Sequence, residues 1–72
     1  MFKQNKYTKV YYRIIENARN RIPQGYVEKH HIIPKSLGGT NDPENIAKLT
    51  AREHFICHRL LVKMVEGRMA QA

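Results

Sequence analysis

The chain has almost no cysteine: Cys57 stands alone among 72 residues. No disulfide can therefore close within it, and an unpaired cysteine fits a reducing, intracellular setting. No apolar run approaches the ~20 residues of a membrane span. The opening "MFKQNKYTKV" carries charge but no apolar stretch of the secretory kind, so it does not read as a signal segment. Acidic residues are also scarce, 6 against 13 Lys and Arg, for a formal net charge of +7. A positive field that strong on so short a chain points to nucleic acid or an anionic surface as partner. With no membrane segment, DNA or RNA is the favoured partner and a membrane is not expected.

Length sets a second limit. A chain of this size buries only roughly 60% of its unfolded surface. Domains with so small a core usually depend on disulfides, a metal or a partner chain. With disulfides excluded, a metal or self-association remains. Composition leaves the oligomeric state open, but there are four histidines.

The chain divides into three parts without repeats or low-complexity segments. In the first, Tyr7, Tyr11, Ile14, Ala18 and Ile22 recur at helical spacing, with Val10 and Ile15 widening the stripe. This predicts a basic amphipathic helix over residues 8–22, ended by Pro23. In the second, "YVEKHHII" reads as a strand up to Pro34, "PKSLGGTNDPEN" as a turn-rich connection and "NIAKL" as a short return strand. In the third, "TARE" is a capping box, Thr50 with Glu53, opening a helix from Ala51 to about Glu66 with Gly67 as its stop. Arg52, Arg59 and Lys63 fall on one side of that helix. A solvated face explains such a stripe by itself; phosphate contact is the second reading.

His54 and His58, four apart on the predicted helix, lie on one face, which Leu61 and Val65 continue. Two imidazoles at this spacing can converge on one ion. A third ligand has to come from another element, and only His30 and His31 remain. Adjacent strand residues point to opposite faces, so regular geometry lets one of the two join the ion. The other stays close by as a free imidazole. With a pKa near ~6.5 such a group can accept a proton from water at neutral pH. Spacing does not say which histidine takes which part. Cys57, between the helical histidines, reads as a small buried hydrophobe, and no Cys-x-x-Cys knuckle is present.

The span "KHHIIPKSLGGTNDPENIAKLTAREHFICH", residues 29–58, resembles the HNH nuclease motif. The likeness is strongest to the HNH endonucleases of phages, many of them free-standing homing enzymes. It rests on the His-His pair before Ile-Ile-Pro, the Gly-Gly loop, Asn45 and the helical His-x-x-x-His. The resemblance implies an α+β fold: an N-terminal helix followed by a ββα-metal (His-Me) finger, a long-looped β-hairpin packed on a helix around one metal. One domain would span residues 1–72, with the ββα core at 25–66. The resemblance further implies that His30 is the first metal ligand and His31 the general base. Asn45 would be the middle Asn that braces the loop and helps orient the base. His54 and His58 would be the helical ligands, paired as in the nuclease colicins; were His54 displaced, His30 and His58 would hold the ion with waters.

The implied activity is metal-dependent hydrolysis of DNA phosphodiester bonds inside a phage-infected bacterial cell. No small-molecule cofactor is expected. Three imidazoles suit Zn²⁺, Ni²⁺ or Mn²⁺ better than Mg²⁺ in affinity, and any one of these divalent ions could serve. Lys35, Arg52, Arg59 and Lys63 are candidate phosphate contacts. No second DNA-binding motif is evident, so cleavage is expected to have low sequence specificity. The rival readings are a non-catalytic, metal-stabilised DNA-binding module and an inactive nuclease fragment.

Overall fold

A computed structural model describes residues 5–65. Helix α1 spans Lys6–Arg19, strand β1 Glu28–His31, strand β2 Ile46–Leu49 and helix α2 Ala51–Met64. Two short 3-10 turns, Lys35–Leu37 and Pro43–Asn45, shape the connection between the strands. This is the expected α+β order of a helix followed by a hairpin and a second helix.

Helix α1 begins two residues earlier than its apolar spacing predicts and ends three earlier. The Asn5 side chain accepts hydrogen bonds from the backbone N–H groups of Tyr7 and Thr8, which fixes the start. The end falls at Asn20, whose N–H still reaches the Glu16 carbonyl. Ile22, predicted to continue the apolar stripe, is therefore off the helix and 82% exposed. The buried stripe is Thr8, Tyr11, Ile15 and Ala18; Val10 is exposed.

The strands pair antiparallel, with His30 opposite Ala47 and His31 opposite Ile46. Alternation along β1 and β2 puts His30, Ala47 and Leu49 in the interior. The other face carries Lys29, His31, Ile46 and Lys48. Helix α1 packs against α2 and β2, and the core joins Tyr11, Ile15, Ile32, Leu49, Cys57, Leu61 and Met64. Cys57 is fully buried and burial pushes its thiol up to about 11, so it packs as an inert hydrophobe.

Helix α2 opens on the predicted capping box. The Thr50 hydroxyl accepts from the Glu53 N–H, and the Glu53 carboxylate accepts from the Thr50 N–H. The same carboxylate takes two hydrogen bonds from Arg21, at 2.7 and 2.5 Å. Arg21 holds that carboxyl down at about 2. This pair ties the exit of α1 to the start of α2. The helix ends at Met64, because Val65 turns extended and buries its side chain. Glu66 and Gly67, the expected end and stop, lie outside the described residues.

Candidate active site

The loop between the strands is held by one side chain. Asn45, buried at the end of the second turn, accepts from the Ile33 N–H (2.8 Å) and donates to the Ile33 and Thr40 carbonyls (3.0 and 2.8 Å). Its own carbonyl accepts from the Ile32 N–H at 2.8 Å, extending the hairpin ladder. The two glycines serve this clamp differently. Gly38 has φ +94°, a left-handed conformation that ends the first turn. At Gly39 a Cβ would fall 1.7 Å from the Ile33 carbonyl oxygen and 2.9 Å from Asn45 Nδ2, so only glycine admits the close approach.

With the hairpin so fixed, His30 points inward and meets His54 and His58 on α2. One ring nitrogen from each lies within 4.8 Å of the others. His54 lies within this cluster, not displaced from it. His54 and His58 approach through their Nε2 atoms at 3.1 Å. The His54 Nδ1–H donates to Glu28 Oε1 at 2.7 Å. Glu28 is itself held by the Tyr26 hydroxyl at 2.7 Å. That hydrogen bond first, and His54 second, keep the Glu28 carboxyl below its usual range, so it stays an acceptor.

His30 is 2% exposed. Burial, reinforced by the neighbouring histidines His54, His58 and His31, drives its pKa down to about 4, so the ring is neutral. Burial and then His54 also lower His58. Neutral imidazole is the form in which histidine binds a cation. One observation tests whether the three histidines suit an ion. His30 Nδ1 is buried with no hydrogen-bond partner among the described residues, although buried polar atoms are nearly always paired. A lone pair left open beside two further imidazoles fits a metal ligand. Among the described residues the donor set is three imidazoles; three protein ligands are typical of open zinc centres and four of closed structural ones.

His31 leaves the strand on the opposite side, as alternation requires. It nevertheless lines the same depression as His30, His54 and His58, together with Lys29, Pro34, Lys35 and Leu61. Its partner is Asn41: the His31 Nε2–H donates to Asn41 Oδ1 at 2.8 Å. Asn45, expected both to brace the loop and to help orient the base, spends its side chain on loop backbone. The side chain in contact with His31 is that of Asn41. Neither Asn41 nor Glu28 stands out in the sequence, because each becomes a partner only through the return of the loop or the docking of α2. Tyr11 belongs with them, its hydroxyl lying 2.7 Å from His30 Nε2.

The four candidate phosphate contacts separate. Lys35 lines the depression. Arg52, Arg59 and Lys63 sit about 140–180° around the helix from His54, at 100° per residue. Arg59 and Lys63 instead flank an apolar groove with Tyr7, Phe55 and Leu60, and Arg59 stacks over the Phe55 ring. A single helix cannot turn His54 inward and these cations toward the same point.

The hairpin, the helix and a convergent histidine set define the ββα-metal class of fold. The HNH endonuclease family model matches residues 18–61. The chain belongs to the HNH endonuclease family. It is 51% identical over 59 residues to "Probable mobile endonuclease E" of Enterobacteria phage T4, covering 81% of this chain and 42% of that protein. It is 49% identical over 63 residues to "Probable mobile endonuclease D" of the same phage, covering 81% of this chain and 24% of that protein. Against "Probable mobile endonuclease C" it is 37% identical over 71 residues, covering 92% of this chain and 33% of the relative. The chain thus spans 24–42% of the length of these relatives. No solved structure matches it significantly. Among the described residues, no helix is long and apolar enough to cross a membrane.

Proposed function

We propose that this chain is a metal-dependent endonuclease domain that hydrolyses DNA phosphodiester bonds, with His31 as general base and His30, His54 and His58 holding one divalent ion. The observation that carries the reading is the division of the adjacent pair. His30 is buried in a three-imidazole cluster, while His31, on the other face of the strand, opens into the same depression. One side of the depression can thus hold a cation while the other accepts a proton.

The ion, when bound, supplies positive charge for the phosphoryl and leaving oxygens as negative charge builds there. The rest falls to the protein. Asn41 fixes the His31 proton on Nε2, leaving Nδ1 as the acceptor for the proton of the attacking water. Lys35, in the same depression, is suited to hold the phosphate, as is Lys29. Lys29 stands directly opposite Lys48 on the paired strand. Like charges so placed disfavour the free hairpin and favour an anion across them. Such contacts read charge rather than base edges, so cleavage is expected to be salt-sensitive and weakly specific for sequence.

Supercoiled plasmid incubated with wild type, His31→Ala and His58→Ala across Mg²⁺, Mn²⁺, Ni²⁺ and Zn²⁺ tests the assignment. Wild type is expected to cut with at least one ion. His31→Ala should bind the ion yet cut about 10²–10⁴-fold more slowly, the usual worth of a general base. His58→Ala should lose the ion. Full cleavage by His31→Ala refutes the base assignment. A wild type that binds ion and DNA but never cuts establishes the non-catalytic module instead.

A further inference from the structure

Helix α1 lies outside the hairpin and helix that carry the histidines, yet one of its side chains reaches them. Tyr11 is fully buried, and its hydroxyl lies 2.7 Å from the Ile32 carbonyl oxygen and 2.7 Å from His30 Nε2. A hydroxyl has one proton. The carbonyl oxygen can only accept, so that proton goes to Ile32. His30 Nε2 must then be the donor in the second bond. A neutral imidazole carries one N–H, so His30 Nδ1 is left with a bare lone pair, and this is the buried nitrogen without a partner.

We infer that Tyr11 is a positioning residue for the metal centre: by accepting from His30 Nε2–H it locks the tautomer in which His30 offers Nδ1, not Nε2, to the ion. The inference rests on the metal reading proposed above and specifies the atom through which it works. His54 is set the opposite way. Its Nδ1–H is taken by Glu28, so Nε2 is the nitrogen it offers. The two ligands therefore present different ring atoms, each fixed by a hydrogen bond at the far side of the ring. Such outer partners orient a ligating histidine and keep its free nitrogen basic. A tyrosine hydroxyl is protonated at neutral pH, so it can keep its bond to Ile32. The arrangement also gives α1 a part in the site: it closes over the core and supplies the group that orients His30.

Tyr11→Phe preserves the ring and removes only the hydroxyl. Zn²⁺ titration of the full chain, with circular dichroism to establish that each protein is folded, gives the affinities. Long-range ¹⁵N NMR of the imidazoles reports which nitrogen bears the proton and which the zinc. Zinc-loaded wild type should show His30 protonated at Nε2 and bound at Nδ1. Tyr11→Phe should bind zinc about 10–100-fold more weakly and lose the single His30 tautomer. Ile15→Val, a packing change on the same helix, should leave the His30 ring pattern as in wild type. Zinc bound through His30 Nε2 in wild type overturns the inference but not the metal centre. So does a Tyr11→Phe protein with wild-type affinity and ring pattern. Failure of wild type to bind zinc overturns both. If Tyr11→Phe does not fold, the wild-type ring pattern decides alone.

Discussion

Replacing Asn45 with Ala removes a clamp whose three side-chain bonds all go to backbone. The Ile33 N–H loses its acceptor, and the Ile33 and Thr40 carbonyls lose their donors. A protein hydrogen bond is worth about 0.5–1.5 kcal/mol net, and a donor left buried and unpaired costs more. Thr40 is exposed, so water replaces its lost partner cheaply; Ile33 is half-buried and has less recourse. Together these give a loss of about 2–3 kcal/mol. For a domain of this size each 1 kcal/mol moves Tm by about 4–8 °C, so Asn45→Ala should melt about 10–20 °C below wild type. Thermal unfolding followed by circular dichroism at fixed zinc measures this, with plasmid cleavage assayed well below both melting temperatures. The loop account predicts a large drop in Tm with zinc still bound, because none of the three clustered histidines lies on the loop. A shift under about 3 °C together with abolished cleavage would refute it, and would move Asn45 from bracing the loop to the chemistry itself.

Three further outcomes follow from the same geometry. Gly39→Ala should destabilise at least as much as Asn45→Ala, since its methyl would overlap the Ile33 carbonyl at 1.7 Å; a Tm within 2–3 °C of wild type (about 0.5 kcal/mol) would show that the loop yields easily. Chelation should lower Tm by roughly 10–20 °C relative to zinc at 100 times its Kd, a difference of about 2.7 kcal/mol, and an unchanged Tm in chelator would exclude an ion that helps hold the fold. The metal-free protein should lose stability as pH falls from about 6.5 to about 4. His30 is held neutral down to about 4 in the folded state, whereas the unfolded chain takes up its proton near 6.5. The stabilisation is complete above 6.5 and gone below 4, so urea midpoints at pH 7, 5.5 and 4.5 should fall in that order; a flat series refutes the burial argument for His30.

What the sequence disclosed and what it hid divide by distance along the chain. The capping box, the His54–His58 face and the opposite facing of His30 and His31 are local consequences of helix and strand periodicity, and the structure bears each out. The ends of α1 were less legible. A side-chain cap at Asn5 and the early exit at Asn20 outweigh an apolar spacing that runs on to Ile22. The partners of the histidines were not legible at all. Tyr11 lies 19 residues from His30, and Glu28 lies 26 from His54. Nothing in either neighbourhood distinguishes Tyr11 from a core tyrosine or Glu28 from a surface acid. Likewise the loop contains Asn41 and Asn45, and only the path of the backbone decides which one reaches His31.

The adjacency of His30 and His31 turns a property of any strand into a division of labour. Alternation sends one ring into the core and the other toward solvent with no insertion or bulge. The two environments then set opposite constraints. Inside, burial strips His30 of its charge, and Tyr11 leaves one nitrogen bare. Outside, Asn41 holds His31 by one nitrogen, and the residue lines the depression. A one-residue slip of the hairpin would exchange them, bringing His31 against the helical histidines and sending His30 out to Asn41. Register is therefore as important to the proposed chemistry as the identity of any side chain. The features that pin it are the Asn45 clamp, the close approach at Gly39 and the bond from Ile32 N–H to the Asn45 carbonyl. The loop, which carries none of the three clustered histidines, therefore serves the site through stability and register and not through a ligand.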